Sequence, residues 1–326
     1  MQRYMFLALA SALLAVAVIP ASARGQQDQP PPPPVDPNKT YDLAAKYSVG
    51  DLLKYKAQMN FNVQVTTPGG NNAFPGGDIA GGFTMRMKTV GLLPDGTGVI
   101  ALTVEGSEMS MMGNTLPMPQ MPTTMIEADR RGRTKPRGLA TAPGAGQAFA
   151  QMFDMNRMSS SMGAVLPDHP VKVGDTWQTE MPMPIGGTLK VVNTLMGVET
   201  VGGLETLKVK QVMTMPFDIK IGPDQKPTRD ASKAVMVMTG SGTVDGVLNI
   251  LESNARLVRM VADIKSDMAM ELNGDAAQQS PFGSTMSIKM AGKMTMNLTS
   301  AGRVAAPSPK ASANKTGKPK PSKQTP

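Results

Sequence analysis

The chain has 326 residues, with 29 methionines, 33 glycines, 28 prolines, 4% aromatic residues and no cysteine. Zero cysteine excludes disulfides, thiolate metal sites and a cysteine nucleophile. The formal net charge is +8, but with Arg3 and the six basic residues of the last 26 positions set aside, 26 basic residues face 25 acidic ones. The excess charge therefore belongs to the tail, and no nucleic-acid-binding face is indicated.

The N-terminus has the pattern of a secretory signal peptide over residues 1–23. Arg3 supplies the positive charge, an uncharged apolar run extends from Met5 to Ile19, and Ala21-Ser22-Ala23 is a small-x-small cleavage site. The apolar run is shorter than the roughly 20 residues of a membrane-spanning helix. We therefore expect cleavage after Ala23, a periplasmic or secreted protein, and no transmembrane segment after processing.

Two low-complexity segments flank the predicted folded body. Residues 24–40 contain the run Pro30–Pro34 and are typical of an extended polyproline linker. Residues 302–326 are rich in Lys, Pro, Ser and Ala and contain no acidic residue, which predicts a disordered basic tail. Such a tail is suited to a weak contact with an anionic envelope surface.

The body shows a two-residue hydrophobic period. Apolar side chains alternate with polar ones from Leu53 to Val65, from Val258 to Leu272, and over Phe83–Met87 and Met286–Met290. Successive side chains of a strand point to opposite faces, so these are strands with one buried and one wet face. The sequence predicts a mainly β fold of antiparallel curved sheets, sandwich or half-barrel-like.

The sequence divides this body into a first β half, residues 41–137, and a second, residues 165–301. A linker over 138–164 carries the one predicted helix, about Gln147–Met162. Turn residues at Pro94-Asp95-Gly96, Gly202-Gly203 and Arg131-Gly132 predict hairpins. We also expect a hairpin around Gly240-Ser241-Gly242 and Gly246.

A short sequence echo suggests that the two halves are related. Val49-Gly50-Asp51 opens the first long strand, and Val173-Gly174-Asp175 with Trp177 opens a second segment. These seven residues form the predicted structural motif. We expect Trp177 to be a buried anchor, since a large aromatic side chain dominates burial among aliphatic neighbours.

Residues 167–177 carry the pattern Pro-x-x-x-Val-x-x-Gly-Asp-x-Trp. This pattern resembles the signature of an uncharacterised family of secreted bacterial β-rich proteins, which implies a fold and a compartment but no activity. A looser similarity is to the Lol-type lipoprotein carriers. In those carriers a curved antiparallel sheet wraps helices around an apolar cavity.

Signals for catalysis are weak. His169 is the only histidine, and its neighbours Asp168 and Pro170 favour a turn. Without a second His or a Cys, the usual zinc and nucleophile arrangements cannot be assembled. We expect no enzyme, no catalytic residue, no metal and no cofactor. A basic cluster at residues 130–137 is interpreted as a solvated hairpin tip.

Methionine is the main clue to function, because its flexible thioether fills irregular gaps and adapts to apolar ligands. The first hypothesis is a non-enzymatic envelope protein that binds a lipid or other apolar ligand in a methionine-lined cleft. The candidate ligand-binding residues share the predicted buried register and are Met59, Phe61, Met85, Met87, Met260, Met268 and Met270.

Two alternatives stay open. One is a structural or surface-interaction protein with no small ligand. The other is a Cu(I) binder that uses thioether ligands. Its candidate ligands lie in predicted loops and are either the cluster Met109, Met111, Met112, Met118 and Met121, or the pair Met181 and Met183.

Overall fold

The computed structural model describes residues 36, 38–68, 74–111, 114–117, 123–137, 166–182, 188–223, 228, 230–278 and 284–304. The predicted signal peptide, most of the proline-rich linker, the predicted helix at 147–162 and residues 305–326 lie outside this part of the chain.

Twelve strands make up most of the described chain. In the first half they are β1 (Asp51–Thr66), β2 (Phe74–Leu92), β3 (Gly98–Met111), β4 (Asn114–Pro117), β5 (Thr124–Ala128) and β6 (Thr134–Pro136). In the second half they are β7 (Thr176–Pro182), β8 (Thr188–Val201), β9 (Leu204–Ile221), β10 (Met236–Ile250), β11 (Leu257–Leu272) and β12 (Thr285–Arg303). A 3₁₀ turn at Ala231–Lys233 and a one-turn helix at Asp275–Gln278 complete the described elements.

All strands belong to one antiparallel sheet, in the order β6-β5-β3-β2-β1-β12-β11-β10-β9-β8-β7, with β4 also paired to β3. This confirms the prediction of a mainly β, antiparallel fold. The two halves form a single sheet system, because the first strand pairs with the last along their full lengths. The sheet is open between its edge strands β6 and β7.

Two sequence expectations need correction. The tail was predicted to begin at residue 302, but Gly302 and Arg303 still pair with β1. The glycines at 240–246 were predicted to form a hairpin, yet they lie inside β10. There the missing side chains allow close approach instead, since a methyl group at Gly240 would overlap the Asp267 carbonyl oxygen of β11.

One face of the sheet, which we call the inner face, holds the core. It includes Tyr55 and Phe61 of β1, Met260 and Met268 of β11, and Leu248 of β10, each at most 4% exposed. One contiguous hydrophobic cluster includes inner-face side chains from each of β1–β3 and β7–β12. On β11 the burial alternates residue by residue from Val258 to Glu271, as its sequence period predicts.

The two edges of the sheet are brought together at one end, where Arg131 of the β5–β6 hairpin is the central residue. Its guanidinium donates to the carbonyl oxygens of Leu43 at 3.0 Å and Asp168 at 2.9 Å. The amide of Leu166 donates to the Arg131 carbonyl at 2.9 Å. Because Asp168 leads into β7 and Arg131 precedes β6, these bonds connect the two edges of the sheet.

The segment before β1 closes the same end. Tyr41 pairs with Val171 through two backbone hydrogen bonds of 2.8 and 3.0 Å, and Ala45 donates to the Arg130 carbonyl. Tyr41 and Leu43 are buried against the inner face. We call residues 41–45, Arg131 and residues 166–171 the end clasp.

The two Val-Gly-Asp sequences form the same turn. The amide of Asp51 donates to the Ser48 carbonyl and that of Asp175 to the Lys172 carbonyl, each at 3.0 Å. The third residue of each turn is glycine with positive φ, 90° at Gly50 and 95° at Gly174. A type II turn requires positive φ at that position, which explains the glycine in both copies.

Candidate ligand-binding face

The seven candidate ligand-binding residues all lie on the inner face. Phe61, Met85, Met260, Met268 and Met270 are buried, whereas Met59 and Met87 are partly buried against the same cluster. The strand register places Met59 opposite Met294 of β12.

Phe61 shows how the inner face is shaped. It lies opposite Gly292 of β12, and a methyl group there would overlap the Phe61 ring. The aromatic ring therefore lies across the neighbouring strand and occupies the space where another side chain would stand.

Many more methionines line this face than the sequence-based set contained. On β12 they pair with apolar residues of β11: Met296 with Met260, Met294 with Ala262, and Met286 with Met270. Further inner-face methionines are Met109, Met213, Met215, Met236, Met238 and Met290. Their even spacing along each strand is the signal that identifies them.

Charged residues are confined to the ends of the inner face. The register positions that share it on β1, β2 and β8–β12 are uncharged except at strand ends, where Asp51 of β1 lies opposite Arg303 of β12 and Glu205 lies at the start of β9. The one phenol of the inner face on β1, Tyr55, donates to the Leu257 carbonyl at 3.1 Å, and burial raises its pKa. Charges elsewhere along these strands lie on the outer face, for example the Lys289–Asp267 pair at 3.5 Å.

An amide pair interrupts the apolar surface on β8 and β9. Gln211 Nε2 donates to Asn193 Oδ1 at 2.9 Å, and both residues are buried, Asn193 at 0% and Gln211 at 4% exposure. The Asn193 Nδ2 group has no hydrogen-bond partner. Sequence reasoning missed this pair, although an Asn within the alternating series Leu189, Val191, Asn193, Leu195 was the available signal.

The copper hypothesis depends on methionines that the structure describes only in part. Met109 lies on β3, partly buried against the core. Met111 ends β3 and Met181 lies in β7, while Met112, Met118, Met121 and Met183 lie outside the described residues. Within the described residues, no three His, Cys, Asp or Glu side chains are grouped as metal ligands.

His169 is exposed in the bend that precedes Val171. The basic cluster differs from the expected solvated tip. Arg133 pairs with Asp129 at 2.7 Å and Arg137 with Glu127 at 3.3 Å, whereas the Arg131 side chain is only 24% exposed and holds the end clasp. The position of these arginines in a predicted hairpin did not indicate which of them would be largely buried.

Comparison with known proteins gives no family. No protein-family model and no curated protein matches the chain. A structure of lipovitellin, concerned with its lipid–protein interactions, aligns with a TM-score of 0.40 at 9% identity over 81% of this chain. The chain spans 26% of that lipovitellin chain.

A second solved structure, a protein from Nitrosomonas europaea assigned to AttH, aligns over 81% of this chain and 98% of its own, with 11% identity and a TM-score of 0.12. Both TM-scores are too low to carry a functional argument. In the described part of the chain, no helix has the length and apolar character needed to span a bilayer.

Proposed function

We propose that the protein is an exported, non-enzymatic envelope protein that binds a lipid or other apolar ligand on its inner face. The supporting observation is the inner face itself, which is apolar and rich in methionine over seven strands and has charged residues only at strand ends, at Asp51, Glu205 and Arg303. A charged or strongly polar ligand would lose its hydration there without compensation.

The magnitudes favour a useful affinity. Burial of eight methylenes at about 0.8 kcal/mol each contributes roughly 6 kcal/mol, which corresponds to tens of micromolar before ordering costs. Methionine side chains can repack around different chains, since their thioethers rotate freely and are polarisable.

The sequence supplies the rest of the proposal. The signal-peptide pattern of residues 1–23 supports export to the periplasm or the exterior. The lysines of the tail support a weak contact with anionic envelope surfaces, which salt would screen.

The first prediction is that the protein binds apolar molecules on the inner face. The full chain, purified from the periplasm of an expressing bacterium, should carry lipid in native mass spectrometry. After delipidation it should bind pyrene, an apolar fluorophore. Met59→Gln should weaken pyrene binding about tenfold, because an amide replaces a thioether of similar size at a partly buried apolar position.

The matched control is the neighbouring residue on the opposite face. Gln58→Met makes the reverse change on the outer face and should leave pyrene binding unchanged. A purified protein without lipid that also fails to bind pyrene would contradict the proposed function.

A further inference from the structure

The Asn193–Gln211 pair is a buried hydrogen-bonded amide pair on the inner face. Asn193 Oδ1 accepts from Gln211, so the remaining Nδ2 group has two N–H donors and no acceptor. A buried donor without a partner costs about 1–3 kcal/mol. Most buried polar groups in native proteins do have partners, so an unpaired one requires an explanation.

The strand register places this pair beside the shortest side chains of its row. Gln211 lies opposite Gly246 of β10, and Gly246 lies opposite Ala262 of β11. Beyond them the row continues through Met294 to Met59. The row thus passes from a hydrogen-bonding group, over two small residues, to long flexible thioethers.

We propose that Asn193 Nδ2 is the donor that receives the polar end of the bound ligand, and that this ligand is a neutral lipid carrying a carbonyl oxygen, such as an acyl ester. The inference rests on the proposed function. A carbonyl oxygen accepts from an amide N–H and removes the cost of the unpaired donor, while the acyl chain lies along the methionines.

The lack of a cationic residue on the inner face near Asn193 disfavours a fatty-acid anion as the ligand. The row that runs from Asn193 through Gly246 to Met59 contains no cationic residue, so a carboxylate buried along it would have no counter-ion there. Ser266 Oγ, also buried and without a partner, lies on the same face but four residues farther along β11 than Ala262. It has one rotatable donor, against two fixed N–H groups at Asn193.

The second prediction uses ligands that differ only in polarity. Methyl palmitate, n-heptadecane and palmitate should each be titrated against pyrene bound to the delipidated full chain. We expect the ester to displace pyrene at about tenfold lower concentration than the alkane, and the palmitate anion to be the weakest competitor.

The test variant is Asn193→Leu/Gln211→Met, which replaces both partners by apolar side chains of similar shape. Such a replacement leaves no unpaired amide and is close to neutral for stability. It should remove the advantage of the ester over the alkane, measured as the ratio of their displacing concentrations on the same variant. The control, Asn62→Leu/Gln64→Met, makes the same two changes on the outer face, where both residues are exposed, and should keep the ester preference.

The outcomes separate this inference from the proposed function. Failure of the wild type to bind pyrene or any of the three chains would contradict the function itself. Equal binding of ester and alkane by the wild type, or an ester preference that survives in Asn193→Leu/Gln211→Met, would overturn the role of Asn193 alone. Either of these last two results is expected if an ordered water molecule accepts the hydrogen bonds of Asn193 Nδ2.

Discussion

At the scale of single residues, two tyrosines, the partly buried Tyr47 and the buried Tyr55, have phenols that are kept neutral by burial. The phenol of Tyr47 donates to the Asp129 carbonyl at 3.3 Å beside the end clasp. Burial, with a smaller contribution from the Asp129 carboxylate, raises the pKa of Tyr47 to about 12. Burial also raises the pKa of Tyr55, against the opposing charge of Arg256.

The third prediction concerns alkaline pH. A tyrosine with a raised pKa in the folded state stabilises the protein fully below pH of about 10, and this contribution is lost as the pH rises towards 12. Urea unfolding at pH 8 and 11 should therefore show a smaller alkaline loss of unfolding free energy for Tyr47→Phe than for the wild type. Equal losses would show that ionisation of Tyr47 is not coupled to unfolding.

The Asn193–Gln211 amide pair was not predictable from the sequence. A two-residue period assigns Asn193 and Gln211 to the inner register, but it does not tell whether a polar residue there meets another one. Only the pairing of β8 with β9 brings their side chains together. The inner-face methionines were easier to predict, because methionine is apolar and these residues occupy the apolar positions of the two-residue period.

At the scale of elements, the strands follow from local sequence and the turns from glycine. β1 and β11 extend over nearly the residues that alternate in the sequence. The pairing of β1 with β12 was not predictable, because no local signal relates strands about 240 residues apart. The interior position of Gly240 was missed for the opposite reason: a local turn signal is overridden by pairing on both sides of β10.

The fourth prediction compares three glycines. Gly174→Ala should destabilise the protein by about 1–2 kcal/mol, because positive φ strains an alanine although no atom lies near its methyl group. Gly50→Ala should cost more, since its methyl group would also overlap the Val304 carbonyl oxygen. Urea midpoints measure both effects.

Gly302→Ala is the control for this series, because its φ is not positive and no atom lies within 4 Å of the added methyl group. It should shift the midpoint little. Equal effects at all three positions would contradict the type II assignment of the two turns.

At the scale of the whole molecule, the β1–β12 pair joins two series of antiparallel strands, and among the described residues the end clasp connects the two edge strands, β6 and β7. Arg131 contributes two charge-assisted hydrogen bonds to carbonyl oxygens and lies 3.6 Å from the Asp168 carboxylate. The connection between the two edges of the sheet therefore depends on few contacts between distant parts of the chain.

The fifth prediction is that Arg131→Met loosens this end. We expect a loss of about 2–3 kcal/mol in unfolding free energy, because two carbonyl oxygens lose charged donors. The amides of Tyr41 and Val171, which pair across the clasp, should exchange hydrogen faster. Arg133→Met removes a similar side chain that is 61% exposed, and it should change neither quantity appreciably. Unchanged exchange in Arg131→Met would show that the clasp does not depend on this arginine.

The pairing of β1 with β12 has a consequence for biosynthesis. Leu53 finds its β12 neighbour, Ala301, only after all the intervening strands have been made. Until then one hydrogen-bonding edge of β1 has no partner, and an open strand edge recruits other strands. A ribosome-bound or partly translocated chain that stops before Thr285 therefore carries one edge of β1 uncovered, so protection by a chaperone matters until β12 has been made.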